Sequence, residues 1–431
     1  MNLPIKDAVV ARLVHDEEER QRYGLELIPS ENYVSRSVLC AMGSVFANKY
    51  SEGYPGRRYY GGQQNTDKVE QLAIDRAKKL FKADHANVQP HSGAPANEAV
   101  YHAWLEPGDT IMGMELSHGG HLTHGRPGTI SAKLFNFVRY GIKDIETGEL
   151  DYDRMSEVAN KTKPKIILAG FSSYPRELDY AKFAQIADDC GAVLMADMAH
   201  IAGLIAGGVL ANPFDYGFSI ITTTTHKTLR GPRGAMILTK GVVGNPLKEV
   251  PKTKDNLPTL IDRMVFPGIQ GGPHMHTIAA KAVAFWEASQ PEFRDYCLQI
   301  ISNAKVLSEE LMKRGFKLVT NGTDNHMMVA DIQSSFGFDG SVAEKTLDKI
   351  GLTLNKNVIP DDPLPPYRPS GVRLGTPALT TRGLKVEHME LIANWMGEAL
   401  KNRNNETILK RLAGEVKEFA GGFPLPSDLD S

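Results

Sequence analysis

Lys227 stands between a run of threonines and a turn, in a segment whose residue types suit a reactive amine. Thr222 to Thr225 favour a strand end, and Gly231-Pro232 turns the chain back into the apolar run Ala235 to Leu238. A lysine on such a scaffold can be partly desolvated, which lowers the pKa of its ammonium group and frees the amine to form a Schiff base with an aldehyde such as pyridoxal phosphate. A surface lysine in a hairpin explains the same residues, so both interpretations stay open at this point.

Asp197 directly follows Val193 to Ala196, an apolar run typical of a buried strand. A carboxylate at that place is costly unless it is paired. A protonated ring nitrogen is a suitable partner, because a carboxylate that keeps a pyridinium charged makes pyridoxal phosphate an electron sink. His200 would then lie close by. A carboxylate that caps a helix is the alternative.

Ser92 and Gly93 follow the strand-like Asn87 to Gln89 and open an apolar helical run. Backbone N–H groups at such a helix start, together with the Ser92 hydroxyl, can bind a phosphate, although a plain capped helix fits this pattern equally well. The sequence contains neither a GxxxxGK[ST] loop nor a strand-linked GxGxxG, which counts against an ordinary nucleotide site.

His118, His121 and His124 place three imidazoles at a three-residue spacing. Gly119 and Gly120 between them disfavour a regular helical ligand face, and no H-E-x-x-H motif or nearby cysteine pair supports zinc. We therefore rank a structural role first, stacking of one imidazole on a planar cofactor second, and a metal site third.

The irregular segment from residue 48 to 62 holds four tyrosines, one glutamate and four glycines. Tyrosine hydroxyls beside the carboxylate of Glu52 suit proton transfer, and a loop packed at a subunit interface fits the same residues. Farther on, Arg373 lies in an apolar strand between glycines, and a buried arginine needs an anion. An internal salt bridge is the first interpretation, and a substrate carboxylate is the second.

The chain has 431 residues, 42% hydrophobic and 23% charged, which is enough to form a large and a small globular domain. Its net charge of −2, without a basic stripe, argues against nucleic acid or an anionic membrane. Three widely spaced cysteines exclude a fully paired disulfide framework and fit a reducing cytoplasm. No apolar signal core occurs in the first residues, so we expect no export.

Short apolar runs alternate with helical patterns between about residues 85 and 240, which predicts a mostly parallel α/β sheet. The predicted strands are Thr110–Met114, Lys165–Ala169, Val193–Ala196 and Ser219–Thr222, with a crossover helix at Tyr180–Cys190 that Gly191 stops. From Thr277 onward a long helix precedes mixed helices and short strands, which indicates a smaller C-terminal α+β domain.

These segments together resemble the serine hydroxymethyltransferase family over about residues 25 to 396. The resemblance is carried, in the family's order, by Leu27–Tyr33, the tyrosine-rich segment 48–62, His118–Gly125, Asp197–His200, Thr225–Lys227, Phe266–Pro273 and the Arg373 motif. It implies the α/β fold of type I pyridoxal-phosphate-dependent transferases, in which a mostly parallel central sheet carries helices on both faces. It also implies an N-terminal helical arm (1–35), a large cofactor-binding domain (36–280) and a small C-terminal domain (281–431).

The resemblance also assigns roles to residues. Catalytic roles fall to Lys227, which carries the Schiff base, and to Glu52, Tyr60 and His226. Cofactor contacts fall to Ser92, Gly93, His121, Ser172, Asp197, His200, Lys227 and, from a second subunit, Gly271. Substrate contacts fall to Ser30, Tyr50, Glu52, Tyr60 and Arg373, and folate contacts to Leu116, Gly120, Leu122 and Asn357. No metal is implied.

The implied reaction is reversible transfer of the serine hydroxymethyl carbon to tetrahydrofolate, which yields glycine and 5,10-methylenetetrahydrofolate. The implied assembly is a homodimer with shared active sites, or a tetramer. One rival is a folate-independent pyridoxal-phosphate enzyme that acts on a β-hydroxy or α-methyl amino acid, because one or two pocket residues could switch the substrate preference. A remote rival is a homologue that binds partners without catalysis.

Overall fold

Strands and helices alternate along most of the chain in the computed structural model, which describes residues 5–241 and 256–428. Residues 1–4 and 429–431, at the ends of the predicted arm and small domain, lie outside the described residues. The strands are β1 Leu25–Glu26, β2 Gly53–Tyr54, β3 Arg57–Arg58, β4 His85–Asn87, β5 Thr110–Met114, β6 Asn136–Tyr140, β7 Ile166–Gly170, β8 Val193–Asp197, β9 Ile220–Thr224, β10 Ala235–Thr239, β11 Lys317–Leu318, β12 Met327–Asp331, β13 Leu352–Thr353, β14 Asn355–Asn357 and β15 Gly371–Gly375.

The helices connect these strands and cover the sheet. They are α1 Ala8–Tyr23, α2 Arg36–Met42, α3 Gln64–Phe81, α4 Gly93–Trp104, α5 Ile130–Leu134, α6 Tyr152–Thr162, α7 Tyr180–Cys190, α8 Ala202–Ala206, α9 Leu257–Arg263, α10 Met275–Ala288, α11 Pro291–Lys313, α12 Ile332–Phe336, α13 Gly340–Lys349, α14 Pro377–Thr381, α15 Met389–Lys401 and α16 Glu406–Gly421. Two short 3-10 helices, Leu116–His118 and Leu122–His124, lie between β5 and α5.

Seven strands form the central sheet, in the order β4-β10-β9-β8-β7-β5-β6. Neighbouring strands from β6 to β9 are parallel, whereas β10 is antiparallel to both β4 and β9. This sheet confirms the predicted mostly parallel α/β class. Because the carboxyl ends of parallel strands lie at one edge, the residues that follow β7, β8 and β9 are brought together there.

Most predicted elements of this sheet agree with the structure. The strand Thr110–Met114 and the helix Tyr180–Cys190 have the predicted bounds, and Gly191 ends the helix with φ of 78°. The strand predicted at Asn87–Gln89 instead occupies His85–Asn87, because the Asn87 side chain accepts the Gln89 N–H (3.0 Å) and ends the ladder. Strand β6 is not among the predicted strands, since Asn136 and Arg139 interrupt its apolar residues and the strand lies at the partly exposed edge of the sheet.

A second hydrophobic core lies around the smaller antiparallel sheet β11-β12-β15-β14. It is built from residues of α11, α13, α15 and α16, and it also includes Leu25 and Leu27 from the N-terminal segment. Strand β1 pairs with β13 in parallel, so the chain after α1 is anchored to this core. Ser30, which follows this anchored segment, is therefore held close to the C-terminal part of the protein.

The longest helix, α11, has 23 residues and places Cys297, Ile300 and Leu307 in the buried interior. Its other face carries charged residues such as Glu309. Within residues 5–241 and 256–428, no helix combines the length and the apolar content needed to cross a membrane.

Gly203 fixes α8 against the segment that contains Lys227. Its N–H donates to the Thr228 hydroxyl (3.0 Å), which itself donates to the carbonyl of His200 (2.8 Å). A Cβ at this position would lie 2.2 Å from the backbone carbonyl of Thr228, so only glycine permits this approach.

We predict that Gly203→Ala lowers the free energy of unfolding by about 1–3 kcal/mol or more, because the added methyl group displaces backbone rather than a side chain. Urea unfolding of the cofactor-free protein measures this change. The matched control is Gly414→Ala in α16, where an added Cβ meets nothing within 4 Å. The control should gain up to about 1 kcal/mol through helix propensity, and equal effects of the two variants would contradict the prediction.

Candidate active site

Lys227 lies in the connection between β9 and β10, which several backbone contacts hold rigid. The Thr225 carbonyl accepts from Gly231 N–H (2.7 Å), and the Thr225 hydroxyl donates to the carbonyl of Pro232 (2.6 Å). The Lys227 residue is 9% exposed, and within the described part of the chain its amine makes no hydrogen bond or ion pair. Burial lowers the pKa of the Lys227 amine to about 8, although the nearby Asp197 charge opposes the shift. The hairpin thus holds an amine that is partly deprotonated near neutral pH.

Asp197 ends β8 and is surrounded by hydrogen-bond donors. Its Oδ2 accepts from the Asn97 amide (2.8 Å) and from His124 Nε2 (3.1 Å), and its Oδ1 accepts from Ala199 N–H (3.1 Å). Nδ1 of His124 accepts the peptide N–H of His121 (3.2 Å), so the proton of that ring sits on Nε2. Burial alone would raise the pKa of Asp197, but the hydrogen bonds from His124 and Asn97 hold it well below its usual range. The carboxylate therefore stays ionised.

The orientation of the His121 ring follows from the same network. The Asn97 amide also donates to the Thr123 hydroxyl (2.8 Å), and that hydroxyl lies 2.8 Å from His121 Nδ1. Burial lowers the pKa of His121 to about 4, so its imidazole is neutral at physiological pH. A neutral, half-buried aromatic ring beside Asp197 suits stacking on a planar ring.

A metal site can also be considered for these groups. Among the described residues, ligand atoms of His121, His124 and Asp197 lie within 4.8 Å of one another. Both nitrogens of His124 already have partners. Nδ1 accepts the peptide N–H of His121 and Nε2 donates to Asp197, so no lone pair is left for an ion. His118, the third imidazole of the sequence cluster, is directed elsewhere and accepts from Ile142 N–H (2.9 Å). The donor set fits an organic ring better than a metal.

Arg373 has no carboxylate partner among the described residues. Its guanidinium donates to the carbonyl of Ser172 (2.6 Å) and to the amide oxygen of Asn355 (3.1 Å), and it lies 3.5 Å from the hydroxyl of Ser30. The internal salt bridge that the sequence allowed does not occur among the residues that the structure describes. Burial lowers the pKa of Arg373 to about 10. A half-buried cation with only neutral partners is a ready site for a carboxylate.

The first turn of α4 lies next to the Lys227 hairpin. Ser92 precedes the helix in an extended conformation, and its side chain does not cap the helix, unlike in the alternative interpretation. A Cβ on Gly93 would lie 3.0 Å from the Thr224 methyl group at the end of β9. The hydroxyl of Ser92 and the unpaired N–H groups of this helix start are thus available to an anion such as phosphate.

His200 is fully buried behind Lys227 and pairs with another histidine. Its Nδ1 lies 3.3 Å from Nε2 of His326, and burial lowers the pKa of His200 well below its usual value. Burial also lowers the pKa of His326 to about 3. Both imidazoles are therefore neutral and extend the polar wall of the site.

A second set of predicted residues makes contacts around Glu52. The Tyr50 and Tyr60 hydroxyls each lie 3.4 Å from a carboxylate oxygen of Glu52. A Cβ on Gly271 would lie 3.2 Å from the same carboxylate. Tyr60 is 47% exposed, and within the described residues no hydrogen bond or ion pair joins this Glu52 cluster to Lys227.

The predicted folate residues lie on the loops after β5 and β14. Leu116 belongs to the 3-10 helix Leu116–His118, and Leu122 is 44% exposed. A Cβ on Gly120 would lie 2.2 Å from the carbonyl of Met114, so this loop turns tightly. Asn357 ends β14.

One contact joins these two loops. His118 Nε2 lies 3.6 Å from Asp361, four residues after Asn357. The loop after β14 is thereby held beside the 3-10 helix Leu116–His118 that follows β5. This arrangement leaves the side chain of Leu122 at the open side of the loops.

His226 precedes Lys227 and points toward Arg233 (3.4 Å) rather than toward Asp197. Burial lowers the pKa of His226 to about 3, and its buried Nδ1 lacks a hydrogen-bond partner among the described residues. This neutral ring lies beside Ser30 in the wall of a small cleft of about 190 Å³.

Sequence reasoning missed three polar residues of the site, Asn97, Asn355 and His326. Asn97 was part of the recognised helix start, but only its contact with Asp197 reveals a role. Asn355 lies in β14 and His326 directly precedes β12, so both reach the site from distant parts of the chain. No local spacing could have indicated them.

A buried amine, an ionised carboxylate and a neutral imidazole at the carboxyl edge of a mostly parallel sheet are the site and fold of a pyridoxal-phosphate-dependent transferase. The family model described as serine hydroxymethyltransferase matches residues 3–396. The chain belongs to the serine hydroxymethyltransferase family. Members are pyridoxal-phosphate-dependent enzymes that transfer the hydroxymethyl group between serine and glycine and use tetrahydrofolate as co-substrate.

Burial lowers the pKa of Lys227 to about 8. We therefore predict that Schiff-base formation at Lys227 in the cofactor-free protein depends on pH with a midpoint at about this value. The rate should rise as the pH increases through this value, because only the deprotonated amine attacks an aldehyde. The measurement is the amount of a small aldehyde fixed at Lys227 by cyanoborohydride at each pH, read by peptide mass spectrometry. The control is Nα-acetyl-lysine, whose ε-amine is free, in the same solution, and a shared midpoint of about 10 would contradict the prediction.

Proposed function

We propose that the protein transfers the hydroxymethyl carbon of serine to tetrahydrofolate, forming glycine and 5,10-methylenetetrahydrofolate, and that it also catalyses the reverse reaction. One observation carries this proposal: the buried amine of Lys227, the ionised Asp197 and the carboxylate-free Arg373 belong to one site. An amino acid needs both a covalent anchor and a carboxylate partner, and this site offers both.

In this proposal Arg373 binds the carboxylate of serine, with Ser30 beside it. The Asn355 and Ser172 contacts hold the guanidinium in place, so little conformational entropy is lost on binding. Tyr50, which belongs to the Glu52 cluster, is assigned to the same carboxylate of serine. Arg373 thereby fixes which bonds of the amino acid face the reacting centre.

Asp197 would hold a proton on the ring nitrogen of the cofactor, and His121 would pack on its ring. Ser92, Gly93 and Gly271 would bind the phosphate, and Ser172 and His200 would lie near the phenolic oxygen. Pyridoxal phosphate, when bound, would supply the electron sink for the charge left when the serine Cα–Cβ bond breaks. Lys227 would supply the amine for covalent attachment.

Glu52 holds and moves the proton at the serine hydroxyl oxygen in this proposal. The Tyr50 and Tyr60 hydroxyls, each 3.4 Å away, orient its carboxylate. Leu116, Gly120, Leu122 and Asn357 form the folate site, where the tight turn at Gly120 presents Leu122 to the pterin ring. The neutral imidazole of His226, next to Lys227, keeps the hairpin in place in this proposal.

We further propose that two copies of the chain share their active sites, either as a dimer or within a tetramer. The contacts of the Glu52 cluster support this arrangement, because within the described residues of one chain no hydrogen bond or ion pair joins the cluster to Lys227, although the two groups act on one substrate. The exposed tyrosines at positions 50, 59 and 60 also support burial against a partner. An isologous interface would place each Glu52 cluster at the partner's Lys227.

The domain boundaries and the compartment remain proposals as well. We propose an arm at 1–35, a large domain at 36–280 and a small domain at 281–431, and the separate second hydrophobic core supports the division. A cytoplasmic location is supported by three free cysteines, Cys40, Cys190 and Cys297.

The function is tested by the visible absorption of the purified holoenzyme with glycine, before and after addition of tetrahydrofolate. We expect a long-wavelength band that tetrahydrofolate strongly enhances, since the folate site adjoins the amino acid. A control with Asn357→Ala should keep the glycine response and lose the enhancement. A glycine response that is indifferent to folate in the wild type would favour the folate-independent rival instead.

Shared sites are tested by mixing Lys227→Ala chains with Glu52→Gln chains, each inactive alone. If the sites are shared, a mixed dimer contains one intact site, and random assortment restores about a quarter of the wild-type activity. Differently tagged chains allow the mixed dimer to be purified and assayed. A folded mixed dimer without activity would show that Glu52 acts within its own chain.

A further inference from the structure

Lys281 is a buried lysine in the middle of α10 with an unusual set of partners. The residue is 1% exposed, and its ammonium donates to three backbone carbonyls, those of Val88 (2.6 Å), Ala235 (2.7 Å) and Pro90 (3.2 Å). Within the described residues no carboxylate lies at ion-pair distance from it. Burial lowers the pKa of Lys281 to about 7, which reflects the cost of keeping this charge inside the protein.

The three carbonyls belong to the two segments that form the proposed cofactor site. Val88 and Pro90 lie on the connection between β4 and α4, and Pro90 is two residues before Ser92. Ala235 begins β10 and pairs with Thr224, the last residue of β9 before the Lys227 hairpin. One ammonium therefore joins the proposed phosphate turn to the hairpin that carries the reactive amine.

The space around Lys281 is arranged for this contact. A Cβ on Gly234 would lie only 2.5 Å from Cε of Lys281, so the hairpin has a glycine where the lysine chain passes. Gln270 secures the same connection from outside, since its side chain accepts from His91 N–H (3.0 Å) and donates to the Gln89 carbonyl (3.0 Å). The turn before Ser92 is thus held at both sides by residues distant in sequence.

We propose that Lys281 is a positioning residue that fixes the phosphate turn at Ser92–Gly93 against the Lys227 hairpin and so sets the affinity for pyridoxal phosphate. The ammonium has three donors and reaches carbonyls of both segments, so its loss removes three hydrogen bonds at once and leaves between the segments the Ala235 N–H to Pro90 carbonyl bond (3.0 Å). Lys281 does not touch substrate or cofactor in this proposal. The inference rests on the proposed phosphate site at Ser92 and Gly93.

The test replaces Lys281 by methionine, which keeps the length of the side chain and removes all three donors. Full-length holoenzyme is equilibrated with graded free pyridoxal phosphate, and the bound fraction is read from the visible absorbance. We expect the dissociation constant to rise about tenfold or more, because unsatisfied carbonyls loosen the turn. At saturating cofactor, the kcat and the KM for serine should stay near the wild-type values.

Two further variants separate positioning from plain stability. Lys281→Gln keeps two N–H donors and should give an intermediate affinity. Phe285→Leu, one helical turn along on α10 and fully buried, should lower the unfolding midpoint without changing the affinity. The proposal is overturned if Lys281→Met binds the cofactor within twofold of the wild type, or if Phe285→Leu weakens binding as much as Lys281→Met does.

Ser92→Ala distinguishes failure of this inference from failure of the proposed phosphate site. If Ser92→Ala leaves the affinity unchanged, the phosphate placement is wrong, and Lys281 cannot act through it. If Ser92→Ala weakens binding and Lys281→Met does not, only the role of Lys281 is refuted. Should Lys281→Met fail to fold, amide hydrogen exchange is measured in residues 86–93 of Lys281→Gln. Faster exchange than in the wild type is expected, and exchange as slow as in the wild type would refute the positioning role of Lys281.

Discussion

The carboxylate of Asp197 stays ionised inside the protein because three donors surround it, and much of the site is built around that requirement. Asn97 and His124 each donate to one oxygen and Ala199 N–H to the other. The same Asn97 reaches Thr123 and so orients His121. A buried charge with these partners can hold a proton on a facing ring nitrogen, whereas an unpaired one would become neutral. Asp197 therefore determines both the electrostatics of the site and the ring placed beside it.

The other buried charges obey the same rule in different ways. The Lys227 amine has no hydrogen-bond partner among the described residues, and its pKa falls to about 8, which makes it a nucleophile. Lys281 is also buried, but its ammonium has three carbonyl partners that hold it in place. Within the same described ranges Arg373 has neutral partners only and is suited to bind an anion. The surrounding partners, rather than the residue type, distinguish reactive, structural and binding cations.

Much of the sheet could be predicted from the sequence, because a strand buried on both faces must be a continuous apolar run, as at Thr110–Met114. Prediction failed where side chains or solvent decide. Asn87 ends β4 early by bonding to Gln89, and β6 is an edge strand without a continuous apolar run. The site motifs were recognisable because each lies on one turn or strand end. Asn355 and His326 were not, since they reach the site from distant parts of the chain.

The sequence by itself determined the class of chemistry, because an amine after a threonine strand, a carboxylate after an apolar strand and a serine and a glycine at a helix start are local patterns. It also determined the family through the order of its motifs. Only the tertiary structure decided which groups share a site, since burial, pKa and partners depend on chain segments far apart. It grouped Glu52 with Tyr50 and Tyr60 and placed the Lys281 ammonium against the turn before Ser92. Distances between remote residues arise from packing, which local sequence patterns do not encode.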